Sequence, residues 1–185
     1  GDAAHRLDAN GEDQVLEAFR HGRGVPCSRL QRTLGCGSMS PATSAVETAN
    51  INLDLFEGEA RLWPQAFAAD EATSLLRELR TGVDWQQEEI LIFGRLRLVP
   101  RLVAWHGDPG AHYVYSGTEH EPLPWTPTLE RIRARVSALT GVAFNAVLLN
   151  LYRDGRDGMG WHADNEPELG RNPVIASVSL GAERR

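Results

Sequence analysis

From about Ile51 the chain sets short apolar runs between turn residues and carries only two helical periods, a succession that leaves few architectures open. Ala72, Leu75, Leu76 and Leu79 fall at i, i+3, i+4 and i+7 between Asp70 and Gly82, which predicts an amphipathic helix with an acidic start and a glycine stop. Thr126 as cap, Pro127 in the first turn, the stripe Leu129, Ile132, Val136, Leu139 and a stop at Gly141 mark a second. Strand signals lie at residues 90–93 and 96–99, on either side of Gly94-Arg95, a Gly-X pair suited to a type II′ turn. They recur at residues 102–106, 112–115, 144–152 and 174–180. The expected fold is α+β, a double-sheet β-structure with mostly antiparallel strands and both helices on one side.

A length of 185 residues suits one domain with an extension. Residues 1–50, with glycine, serine and threonine scattered through them and no sustained apolar period, read as a poorly ordered extension ahead of a domain over residues 51–185. Within the extension, residues 13–21 read as a short helix through Val15, Leu16 and Phe19. Two cysteines, Cys27 and Cys36, supply neither a disulfide framework nor a Cys-x-x-Cys metal spacing, and no apolar run is long enough to span a bilayer. A cytoplasmic monomer with no membrane contact is the expectation. All 19 basic residues are arginine, and their distribution is uneven: residues 1–90 carry eight against fifteen carboxylates, residues 91–160 eight against six. A polyanion would therefore favour the middle of the chain.

The sharpest chemical feature is Trp161-His162-Ala163-Asp164. Residues two apart on extended backbone face the same way, so His162 and Asp164 can offer an imidazole and a carboxylate to one metal ion, the local half of a 2-His-1-carboxylate iron site. Upstream, Asn150 and Tyr152 share a strand face with Phe144, Ala146 and Leu148, which places an amide and a phenol on an otherwise apolar wall. Buried polar groups need partners, and a carboxylate-bearing cosubstrate beside the metal would supply them.

These residues stand in five ordered blocks: Pro100-Arg101-Leu102-Val103-Ala104-Trp105-His106-Gly107-Asp108, Tyr113-Val114-Tyr115-Ser116-Gly117, Asn150-Leu151-Tyr152-Arg153-Asp154-Gly155, the stretch from Trp161 to Gly170, and the stretch from Pro173 to Gly181. From about Leu53 onward the sequence resembles the AlkB-type iron(II)- and 2-oxoglutarate-dependent dioxygenases, which remove alkyl lesions from nucleic-acid bases. The resemblance implies a double-stranded β-helix (jelly-roll) core, here incomplete, with Fe(II) as cofactor and 2-oxoglutarate as cosubstrate. It implies that His162 and Asp164 bind iron and Asn150 and Tyr152 hold 2-oxoglutarate. In the family's reaction the alkyl carbon is hydroxylated and the resulting hemiaminal collapses to an aldehyde and the restored base.

A base must leave its stack to reach such a site, and an aromatic face replaces part of the lost stacking, worth about 1–3 kcal/mol per base. Tyr115 matches the family's stacking aromatic; Tyr113 and Ser116 accompany it as substrate contacts, and Glu166 matches a carboxylate placed near the base's exocyclic nitrogen. Phe93, at the hairpin, matches a residue inserted into the stack in duplex-acting relatives, with Arg95, Arg97 and Arg101 meeting phosphates. The expected partner is alkylated DNA, single- or double-stranded, with RNA as an alternative. The family's second iron-binding histidine and its 2-oxoglutarate arginine find no match up to Arg185, so the expectation is a truncated piece inactive by itself. Two other readings stand beside this one: an oxygenase of the same class acting on a protein or small molecule, and a metal-free nucleic-acid-binding module.

Overall fold

The computed structural model describes residues 13–19, 50–53, 58–92, 94–111, 113–115, 118–160 and 173–183. These fall into two compact units: β1 (Asp13–Phe19) joins everything from Phe67 onward in the first, and a short hairpin of β2 (Ile51–Leu53) and β3 (Ala60–Leu62) belongs to the second.

The first unit is a four-stranded antiparallel sheet with two helices against one of its faces. Its strands run in the order β10 (Ile175–Leu180), β1, β9 (Ala146–Tyr152), β6 (Leu102–Gly107). The helices are α1 (Ala69–Gly82) and α2 (Pro127–Thr140). Leu75 and Leu79 of α1 meet Leu129, Ile132 and Val136 of α2 over Ala104, Val147, Leu149 and Leu180 of the sheet, and these residues form the core. Both helices keep the periods read from the sequence because those apolar positions are the ones that reach the sheet. Thr126 caps α2 by accepting from the Leu129 N–H at 3.2 Å, an interaction worth about 1 kcal/mol, and Gly141 ends it at φ 72°. Between the helices, the Glu78 carboxylate accepts from Thr128 Oγ1 at 2.7 Å and from the Arg131 guanidinium at 2.6 Å. Those donors, Thr128 first, hold its pKa down at about 2.

Residues 13–19 are a strand, not the helix that Val15, Leu16 and Phe19 suggest. The register pairs Leu16 with Leu149 on one side and Val178 on the other, so the backbone of β1 is bonded along both edges. A nine-residue helix of isolated propensity is marginal in water, whereas a place between two waiting strands satisfies the backbone completely. Tertiary pairing overrides the local period here.

In the first unit two hairpins lie outside the sheet among the described residues. β4 (Glu89–Ile92) pairs with β5 (Arg95–Leu98), Ile92 opposite Arg95, so the two connecting residues are 93 and 94 rather than the expected Gly94-Arg95. Gly94, at φ 74°, is the second of the pair, whereas a type II′ turn needs its glycine first. β7 (Tyr113–Tyr115) pairs with β8 (Thr118–His120). Where β6 ends, a Cβ on Gly107 would sit 3.0 Å from the Asn145 carbonyl oxygen and 3.1 Å from the Ala146 Cβ, so close approach of β6 to β9 requires glycine.

His106 is a buried polar residue on the helix-facing side. It is 3% exposed, its Nδ1–H donates to the Pro124 carbonyl at 2.7 Å, and among the described residues its Nε2 is buried without a partner. That bond sets the tautomer, and burial pushes the imidazole pKa below its ordinary value of 6.5. The unfolded chain therefore takes up a proton near pH 6.5 that the folded chain refuses, so stability is whole above that pH and declines as the pH falls below it. Denaturant titrations between pH 7.5 and 5 are expected to show this decline. In His106→Gln the decline should be shallower; an identical slope would assign it to other groups.

Candidate functional site

Strand alternation divides β9 between two surfaces. Val147 and Leu149 enter the core beneath the helices, so Leu148, Asn150 and Tyr152 belong to the opposite face. Asn150 and Tyr152, on the same face as the sequence reading requires, are buried at 1% and 8% exposure. Val103 of β6 lies directly opposite Asn150 in the register. On β10, Ser177 and Ser179 alternate with the core residues Ala176, Val178 and Leu180 and are exposed. The β9 and β6 part of the face turned away from the helices thus sets an amide and a phenol among Val103, Trp105, Ala146 and Leu148.

Arg101 lies just before β6. It is 5% exposed, and its Nε donates to Asn150 Oδ1 at 2.8 Å. This side chain, held deep beside β9, is a partner of Asn150, whereas Arg95 and Arg97 are placed at the surface. Those two are exposed on β5, alternating with Leu96 and Leu98 at 65% and 58% exposure.

Beyond Tyr152 the chain turns through a clasp that sequence reading missed. Asp157, 8% exposed, accepts from Arg153 twice over its guanidinium, Nε to Oδ2 at 2.7 Å and Nη2 to Oδ1 at 2.9 Å, and once from the Arg153 backbone N–H at 2.9 Å. The guanidinium, more than any other neighbour, holds the Asp157 carboxyl below the usual range. Next to it the Gly158 N–H donates to the Pro100 carbonyl at 2.9 Å, and Arg153 also reaches Gln87 Oε1 at 3.4 Å. The clasp therefore ties the end of β9 to the residues just before Arg101. Opposite charges four apart around Gly155 were the available signal, but on a loop that spacing has no fixed geometry.

His162, Asp164, Glu166, Phe93 and Ser116 lie outside the described residues. Tyr113 and Tyr115 occupy alternate positions of β7, opposite His120 and Thr118, and their side chains lie outside the description. Among the described residues no group of three histidine, cysteine, aspartate or glutamate side chains could hold a metal ion. His106 faces the helices and so stands on the other side of the sheet from Asn150 and Tyr152.

Residues 59–185 match the 2OG-Fe(II) oxygenase superfamily. The chain belongs to that superfamily. Membership brings Fe(II) and 2-oxoglutarate as the oxygenase's cofactor and cosubstrate and implies the double-stranded β-helix fold. Over 121 residues the oxygenase is 45% identical to human DNA oxidative demethylase ALKBH2, covering 64% of this chain and 46% of that protein. It is 41% identical over 124 residues to human alpha-ketoglutarate-dependent dioxygenase alkB homolog 3, covering 66% and 43%. A match to the ALKBH2 of Arabidopsis thaliana, 33% identical, extends over 95% of the chain and 57% of the relative. The chain spans about half the length of the curated relatives it matches. No helix among its described residues is long and apolar enough to cross a membrane.

Proposed function

We propose that the oxygenase dealkylates bases in DNA oxidatively, as a repair enzyme, with Fe(II) and 2-oxoglutarate. The observation that carries this is the buried Asn150 and Tyr152 on the sheet face away from the helices, in a chain 45% identical over 121 residues to a DNA oxidative demethylase. Both groups can hydrogen-bond a carboxylate, as holding 2-oxoglutarate requires. Arg101 donates only, so its contact turns Asn150 Oδ1 toward the guanidinium and leaves the Nδ2 group to donate elsewhere. The donor set thus fits 2-oxoglutarate. His162 and Asp164 are the proposed iron ligands; iron, when bound with oxygen and 2-oxoglutarate, supplies the oxidising power for hydroxylating the alkyl carbon.

The protein's own task is then to bring the alkyl carbon of the base to the proposed iron site. Tyr113 and Tyr115 of β7 are the proposed stacking and contact residues for an everted base, with Ser116 and Glu166 as further contacts and Phe93 as the wedge that fills the gap. Arg95 and Arg97, exposed on one hairpin strand, supply phosphate contacts. Arg95→Glu should weaken binding to all DNA sequences alike and lower the slope of log K against log salt by about one, in titrations from low to moderate salt. Unchanged affinity and slope would remove the hairpin from the interface.

The function itself is tested by incubating the whole protein with Fe(II), 2-oxoglutarate and methylated oligonucleotides and measuring formaldehyde and restored base. Parallel arms of single-stranded DNA, duplex DNA and RNA rank the nucleic acids. Turnover of 2-oxoglutarate without loss of methyl from any of them would overturn the nucleic-acid reading in favour of an oxygenase for another substrate class.

A further inference from the structure

Arg101 combines two properties that sit badly together. Its guanidinium is almost wholly buried, yet among the described residues no carboxylate pairs with it, and its side-chain partner is the neutral amide of Asn150. Burying a charged group against a neutral one is costly, and such an arrangement persists where the charge does something an apolar side chain could not. What a guanidinium does to an amide is definite. It has five N–H donors and no acceptor, so it tolerates only the oxygen of Asn150 and forces the NH₂ group to the other side. A neutral polar neighbour such as glutamine, able to donate or accept, would leave the amide free to turn over.

The orientation matters because the two ends of an amide have opposite polarity. Asn150 meeting a carboxylate with its NH₂ group makes a charge-assisted hydrogen bond; meeting it with its oxygen opposes two acceptors. The backbone holds Arg101 to this task. Pro100 precedes it, its own N–H donates to the Val99 carbonyl at 2.9 Å, and the Gly158 N–H donates to Pro100 at 2.9 Å, so the root of the side chain is bound on both sides. We infer that Arg101 is a positioning residue for the cosubstrate: by bonding Asn150 Oδ1, it presents the Asn150 NH₂ group to a carboxylate of 2-oxoglutarate. This rests on the reading of Asn150 as a cosubstrate contact.

The test is a double-mutant cycle on the whole protein, reading 2-oxoglutarate affinity by calorimetry with Fe(II) under anaerobic conditions. Asn150→Ala is expected to weaken 2-oxoglutarate binding by about tenfold or more and Arg101→Met by about fivefold. Since Arg101 acts through Asn150, the double variant should bind no more weakly than Asn150→Ala alone. In turnover, Arg101→Met should raise the KM for 2-oxoglutarate more than it lowers kcat, with DNA affinity in the absence of cosubstrate unchanged. Arg101→Gln keeps a polar partner should the methionine variant fail to fold, and because it no longer dictates the amide's orientation it is expected to bind 2-oxoglutarate about threefold more weakly. An Arg101 effect of equal size with and without Asn150, or wild-type affinity in both Arg101 variants while Asn150→Ala is weakened, overturns the positioning role and leaves the cosubstrate reading of Asn150 in place. Wild-type affinity in Asn150→Ala itself overturns both.

Discussion

His162→Ala is expected to lower oxidative demethylation by the whole protein by more than about a hundredfold and to abolish stoichiometric Fe(II) uptake at neutral pH. Loss of outer hydrogen-bond partners alone costs metal sites about 10–100-fold, so loss of a direct ligand should cost more. Asp164→Ala should behave the same way, because each side chain supplies one of the two local vertices proposed for the ion. Metal content by mass spectrometry and methyl release from single-stranded DNA are the two measurements. Affinity for undamaged DNA should stay within about twofold of the parent in both variants, since the proposed phosphate contacts are the hairpin arginines and not the iron ligands. Full iron occupancy in His162→Ala would move the metal centre elsewhere and, with it, the proposed chemistry.

The second large effect concerns the strand that sequence periodicity reads as a helix. In a central strand each residue directs its N–H to one neighbour or the other, so a proline at position 16 must delete a ladder bond to β9 or to β10. Leu16→Pro is therefore expected to destabilise the protein by about 1–3 kcal/mol or more, the cost of an orphaned ladder partner with the ring's clash added. Urea denaturation followed by circular dichroism measures it. Surface substitutions away from structured elements stay within about 0.5 kcal/mol, so a cost in that range would mean that residues 13–19 do not complete the sheet.

Much of the fold was legible because amphipathic periods report directly on burial. α1 and α2 lie within a residue of their sequence bounds, since Leu75, Leu79, Leu129, Ile132 and Val136 are the side chains that meet the sheet. The strands 102–107, 146–152 and 175–180 follow for the same reason, each offering apolar residues to the helix side. β1 was not legible: seven residues carry too little periodicity to separate strand from helix, and their partners lie more than a hundred residues away. The hairpin turn was misplaced by one residue because a glycine between two strand signals fits either position of a two-residue loop until the register is known.

Asn150 and Tyr152 could be singled out from the chain because two polar groups at strand spacing on an apolar wall are conspicuous in one dimension. Arg101 could not be given its place beside them. Forty-nine residues separate it from Asn150, and an arginine near a basic hairpin reads equally as a surface contact until burial is known. Linear order alone thus determined the residue chemistry, the helical faces and the family resemblance, all carried by local spacing. Which strand joins β9 to β10, which arginine is buried, and which loop is clasped by Asp157 are properties of distant backbone segments meeting, and only the tertiary structure could decide them.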